Sequence, residues 1–396
     1  MGRILILTPT YLPHMDGVAG AARLMAEGLA ARGYEVGVVT QLHPERQPSS
    51  PGDNPRVYQF DVKGSPTWGC PARGQVEEMR RFIAGFDSDA LFCHTLDATP
   101  TWLALGAFQQ IRAAKALVSH GYVAHQVNWH PGFPWGLGQW LRWQPFVWRL
   151  PLLLRRFDRL VFLSRRTDWG RFFDHGVARM TRHQGIRIIP NGVDWRPASG
   201  SPADFRKRYG LERKLLFLCV ANYCERKNQR LALRAFRRAR LPGAALVFIG
   251  SEANDYSRLL SRLNEDLRKE LPAGEVLILE NMGRQMTQQA FGAMDAFVLS
   301  ANAETQPIVL LESMAASKPF ISTNTGCVSE LPGGLVVQTE AQLTGALQLL
   351  AADPSRRTAL GEAGHAEYLA HYQREAVLDA YEELLREIVP RLARST

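Results

Sequence analysis

The chain has 396 residues, which oversizes a single hydrophobic core and predicts two domains. Its composition, 46% hydrophobic and 21% charged residues, is that of a globular protein, and a formal net charge of +9 points to an anionic partner: a nucleotide, a phospholipid surface or a nucleic acid. That charge is not gathered in a tail, and no RNA-recognition, zinc-finger or helix-turn-helix signature accompanies it, which argues against nucleic acid. The cysteines (Cys70, Cys93, Cys219, Cys224 and Cys327) are scattered and form no CxxC pair, as expected of reduced thiols in a cytosolic protein. The opening MGRILILTPT is too short in its apolar part for a signal peptide, and no apolar run reaches membrane-spanning length.

Taken in order, Arg3–Thr8 reads as a strand buried on both faces. A loop, Pro9–Gly20, leads to a helical pattern over Ala21–Arg32 that Gly33 stops. Further strands are predicted at Glu35–Thr40, Arg56–Asp61, Ala90–Thr95, Lys115–Gly121, Arg159–Ser164 and Ile186–Asn191. Pro197–Pro202 reads as a linker, after which strands restart at Leu215–Asn222, Ala245–Ser251, Glu275–Asn281, Ala296–Ala301, Pro319–Thr323 and Leu335–Gln338, with a helical stretch from Pro354 to Val389. Strand–helix alternation implies parallel βαβ units, so the predicted fold class is α/β, with two Rossmann-like doubly wound domains at residues 1–196 and 197–375 facing a central cleft.

Ligands of such sheets sit at the carboxyl ends of strands, and the loops there carry the candidate residues. Glu304 and Glu312 bracket a gap that holds Pro307 and an apolar run. Pro307 suits the first helical position, so Glu304 is expected in the loop before a helix and Glu312 on it, with free N–H groups at the helix start to receive an anion. An ordinary amphipathic helix is the alternative. Gly17 and Gly20 in the first loop would let backbone approach a phosphate, although no GxGxxG is present. His120 ends a strand and could hydrogen-bond a sugar hydroxyl; His125 and His130 recur at a spacing that shares no face with it, which argues against a metal site. Arg226 and Lys227 open a helical run and could hold a diphosphate, or could belong to a solvated basic face with Arg230, Arg234, Arg237, Arg238 and Arg240. Trp129, Trp135, Trp140, Trp143 and Trp148, interleaved with Arg142, Arg149, Arg155 and Arg156, have the composition of a membrane-interface segment, of an acceptor cleft or of a buried helix pair.

Together these segments resemble the retaining GT-B fold glycosyltransferases of family GT4, over essentially the whole chain. The matching stretches are DGVAG after the first strand, SHG at 119–121, FDRLVFLS at 157–164, IIPNGVD at 188–194, VANYCERKN at 220–228, VFIGS at 247–251 and ETQPIVLLE at 304–312. The resemblance implies that Glu312 holds the nucleotide ribose, that Glu304 and the backbone of Gln306, Pro307 and Ile308 meet the donor sugar and phosphate, that Lys227 holds the diphosphate, that Gly17 lets its loop close on it, and that His120 binds the sugar near the reacting carbon. It further implies that no metal is needed and that the last helix, within 376–396, packs on the first domain. Three positions depart from the family pattern: Asp16 precedes Gly17 where Gly-Gly is usual, Asn222 replaces an Arg whose work Arg226 could take over, and Thr305 replaces a Gly.

The expected function is transfer of a hexose-type sugar, with retained configuration, from a nucleotide-diphosphate donor (a UDP- or GDP-sugar first) to a glycan or lipid-linked acceptor in bacterial envelope polysaccharide or lipopolysaccharide assembly. No cofactor is expected, and the expected location is the cytoplasm, with peripheral contact to an anionic membrane surface. A sugar-nucleotide epimerase on the same fold and a non-catalytic sugar-nucleotide-binding scaffold are the alternatives.

Overall fold

A computed structural model describes residues 2–14, 16–121, 135–167, 172–196, 201–250 and 252–390, the side chain of Trp135 excepted. Trp129, His125, His130, Ser251 and residues 197–200 of the expected linker lie outside the described residues. The rest divides into two compact units: residues up to Asn191 together with those from Arg374 onward, and Gly192–Gln373.

In the first unit the strands are β1 (Arg3–Leu7), β2 (Glu35–Gln41), β3 (Arg56–Phe60), a short ribbon of β4 (Val62–Lys63) and β5 (Arg73–Gly74), then β6 (Ala90–His94), β7 (Ala114–Ser119), β8 (Arg159–Phe162) and β9 (Ile186–Ile188). Ribbon apart, they form one sheet in the order β3-β2-β1-β6-β7-β8-β9. Its pairings are all parallel. Ile4, Leu5, Ile6 and Leu7 are wholly buried, which is why β1 reads as an unbroken apolar run.

The first helix runs Gly17–Ala31, four residues earlier than the sequence pattern predicts. Asp16 causes the early start: its Oδ1 accepts from Ala19 N at 2.7 Å and its Oδ2 from Thr10 Oγ1 at 2.9 Å, capping the helix. The helix Arg374–Ile388 packs beside it. Leu378 fills the space that a Cβ on Gly28 would occupy, and Arg32 meets Glu375, Asp379 and Glu382 at 2.7–2.8 Å.

The second unit holds β10 (Leu215–Val220), β11 (Ala244–Ile249), β12 (Glu275–Leu279), β13 (Ala296–Leu299), β14 (Phe320–Thr323) and β15 (Gly334–Val337), again parallel, in the order β12-β11-β10-β13-β14-β15. In each sheet the order reverses once, between β1 and β6 and between β10 and β13. At such a reversal the connections leave toward opposite faces and open a crevice at the strand ends. The loops that carry Gly17, Arg226, Lys227 and Glu304 therefore leave strands at the two reversals.

Candidate active site

The two loops at the second reversal are bound to each other. Asn302 N donates to Arg226 O at 2.8 Å, Asn302 Nδ2 to Glu225 O at 3.2 Å, and Asn228 Nδ2 to Asn302 Oδ1 at 3.0 Å. Ser300 Oγ donates to Asn228 O at 2.9 Å, and Asn228 adopts a left-handed φ of 47°, which an Asn tolerates well. This lacing sets the side chains that follow. Lys227 Nζ donates to Glu304 Oε1, and Arg226 Nη1 stands 3.2 Å from the same oxygen and 3.1 Å from Ala303 O. Lys227 and Glu304 are mostly buried while Arg226 faces solvent, so the carboxylate bridges an enclosed and an open cation.

Glu304 is also fixed from behind. Its N–H donates to Thr325 Oγ1 at 2.8 Å, and Cys327 N donates to Thr305 O at 2.8 Å. Between those contacts Gly326 has φ 51°, and a Cβ there would stand 2.0 Å from Thr305 O and 2.5 Å from Glu304 O. No other residue fits that approach.

The helix that follows is Ile308–Ala315. Pro307 is its N-cap residue and not its first helical residue as the sequence predicts: φ of −73° suits a helix, but ψ of 110° keeps it extended. No side chain caps this helix start. Glu312 lies on the helix, 9% exposed, with Arg284 at 3.5 Å. Burial pushes its carboxyl up to about 7, against a smaller opposing pull from Arg284. Gln306 is buried, Thr305 and Ile308 are partly so, and Asn222 is exposed, its carbonyl accepting from Gln229 Nε2 at 3.0 Å.

Much of the basic crowd after Lys227 is structural. Arg237 is buried and donates to Asn264 Oδ1 at 2.6 Å and Gly274 O at 3.0 Å. Arg230 pairs with Glu225, and Arg238 with Glu340 at 2.6 Å.

In the first unit, His94 ends β6 and His120 follows β7 directly. His94 Nδ1 lies 2.9 Å from His120 Nε2, and the rings stack at 5.2 Å between centroids. Burial holds both below the usual imidazole range, His120 at about 4. Next to them Ser119 Oγ donates to buried Asp174, and burial raises Asp174 and, with help from Asp174, pushes Asp97 up to about 6. Sequence reasoning places both histidines in loops at strand ends but assigns a role to His120 alone; their pairing follows from the two strands being neighbours. The contacts of Thr325, Gly326 and Arg284 left no sequence signal, because each depends on a distant loop.

Of the tryptophan segment, the described part lies in the helix Trp135–Leu154. Trp143 packs against the core, edge-on to Phe146 at 5.9 Å. Trp140 is half-buried and its carbonyl accepts from Gln144. Arg142 Nε donates to Trp68 O at 2.9 Å.

Two family matches together span most of the chain. Residues 15–195 match Glycosyltransferase Family 4, and residues 202–367 match Glycosyl transferases group 1. The chain belongs to the family 4, group 1 glycosyltransferases. Among relatives of this glycosyltransferase, a GDP-mannose-dependent alpha-(1-6)-phosphatidylinositol monomannoside mannosyltransferase of Mycobacterium tuberculosis is 25% identical, over 98% of each chain. The lipopolysaccharide core biosynthesis glycosyltransferase LpsE of Rhizobium meliloti is 30% identical over 42% of this chain and 48% of its own. Among solved structures, sucrose-phosphate synthase of Thermosynechococcus elongatus superposes with a TM-score of 0.76 at 18% identity, over 99% of this chain and all of its own. WaaG, a glycosyltransferase involved in lipopolysaccharide biosynthesis, superposes with a TM-score of 0.67 at 18% identity, over 97% and 99%. The fold of the glycosyltransferase is GT-B.

Proposed function

We propose that this glycosyltransferase takes a hexose-type sugar from a nucleotide-diphosphate donor and passes it to a hydroxyl of a lipid-linked or glycan acceptor, keeping the anomeric configuration. The observation that carries the reading is the Lys227–Glu304–Arg226 cluster, with Glu304 in the loop that leads into the helix Ile308–Ala315. As the glycosidic bond breaks, negative charge grows on the departing diphosphate. Lys227, Arg226 and the uncapped N–H groups after Pro307 are suited to receive it, which assigns to side chains and a helix start the work a metal ion could do. Glu304 then meets the sugar ring, and Glu312, on the same helix, accepts from the ribose hydroxyls. The acceptor attacks from the face the phosphate leaves, and a phosphate oxygen takes its proton. His120 contributes a neutral imidazole that hydrogen-bonds a sugar hydroxyl.

The relatives' names support a bacterial envelope role and a lipid-linked acceptor: one is GDP-mannose-dependent and acts on a phosphatidylinositol monomannoside, another belongs to lipopolysaccharide core biosynthesis. A related structure was solved with UDP-glucose, so GDP- and UDP-sugars are the first donors to try. A thermal-shift screen of UDP, GDP, ADP and their sugars identifies the base. Proton NMR of the product formed by EDTA-treated enzyme then reads the new linkage. The same anomer as in the donor is expected; an inverted anomer, or donor conversion without acceptor, contradicts the proposal.

A further inference from the structure

The helix Trp135–Leu154 has two apolar faces, and only one is used. Phe146, Leu150 and Leu154 are buried in the first unit. On the opposite side Leu141, Trp148 and Leu152 are 53%, 74% and 65% exposed. Their spacing, i, i+7 and i+11, stacks them in one stripe. Trp68, 74% exposed, is tied to this helix: its N–H donates to Arg142 O and its carbonyl accepts from Arg142 Nε, both at 2.9 Å. Single exposed apolar side chains are ordinary on a protein surface, but a stripe with two open tryptophans is not.

Charge decides what covers it. Arg142 and Arg149 on this helix and Arg155 just past its end are exposed, and no Asp or Glu occurs anywhere between Asp97 and Asp158. A second copy docked by a two-fold axis would set these arginines against each other, which costs binding. Anionic headgroups over an apolar layer match both features: the guanidinium groups sit in the headgroup layer while the indoles and leucines enter the boundary below. Among the described residues no helix is long and apolar enough to cross a membrane.

We propose that this face, built from Leu141, Trp148, Leu152 and Trp68 with their flanking arginines, docks the protein on an anionic lipid surface. The inference does not depend on the transfer chemistry and is tested without donor or acceptor. The full-length protein is sedimented with phosphatidylcholine vesicles and with vesicles in which about a third of the lipid is phosphatidylglycerol, at low and raised salt. Binding to the anionic vesicles, weakened by salt, is expected. W148A/L152A should lower it about tenfold or more, because two large apolar side chains no longer enter the lipid boundary. R149A/R155A should lower it about fivefold for each charge removed. Thermal midpoints near the wild-type value show that both variants fold. Three results would overturn the proposal: no wild-type binding to anionic vesicles, equal binding by folded variants, or a wild-type dimer that W148A/L152A converts to monomer while vesicle binding is unchanged.

Discussion

His94 Nδ1 and His120 Nε2 share one hydrogen bond, 2.9 Å long, at the carboxyl ends of neighbouring strands. Only one of the two nitrogens can carry the proton between them. His94 Nε2 is buried and has no partner among the described residues, and a bare lone pair there costs less than a stranded N–H. The favoured arrangement therefore has His94 donating and His120 protonated on Nδ1. Both folded values lie below the ordinary 6.5, so the pair supports stability above that pH and loses it as pH falls toward 4. Nitrogen NMR should find both rings neutral at pH 6, with His120 in the Nδ1–H form. Titration of His120 near 6.5 would contradict this.

Gly326 lies against the backbone of Glu304 and Thr305, next to the residue proposed to meet the sugar. A side chain there drives backbone into Thr305 and Glu304, while Glu312 stands on the helix beyond. G326A should lower turnover about 100-fold, the scale of a misplaced reacting geometry. Free nucleotide should still bind within a fewfold of wild type by calorimetry. Equal loss of both would show that the loop and helix move together.

Glu312 should make sugar-nucleotide binding pH-dependent. Its carboxyl is pushed up to about 7, and ribose hydroxyls donate best to the ionised form. Affinity should climb up to about tenfold from pH 6 to pH 8, and E312Q should flatten the climb. A sugar nucleotide is the right probe because its esterified diphosphate does not titrate in that window. For stability the sign is opposite: a raised folded value supports the fold below pH 4.5 and loses that support as pH rises through 7. E312Q should remove this slope in urea titrations.

Much of the fold is legible in the sequence, for a physical reason. Parallel strands buried on both faces are unbroken apolar runs, so β1 and β10 can be placed to within two residues, and with them the loops that hold Glu304 and Lys227. Local capping is harder to read. Gly17 and Gly20 weaken the helical pattern, and only the Asp16 bonds explain why the helix starts there. Asp16 departs from the family's Gly-Gly, but it has structural work as a cap. Pairings between distant segments are not legible at all: Lys227 meets Glu304 across 77 positions, and nothing local tells that Trp143 faces inward while Trp148 faces out.

The central claim is that Lys227 and Glu304 act as one charged unit on the donor, and a double-mutant cycle on nucleotide release tests it most directly. K227A and E304A should each lower the acceptor-dependent rate at least ~100-fold, the scale of removing one transition-state charge interaction. The double variant should lose less than the product of the two, with a coupling of about 0.5–3 kcal/mol, because each substitution already breaks the shared ion pair. Near-normal release by both single variants would contradict the account.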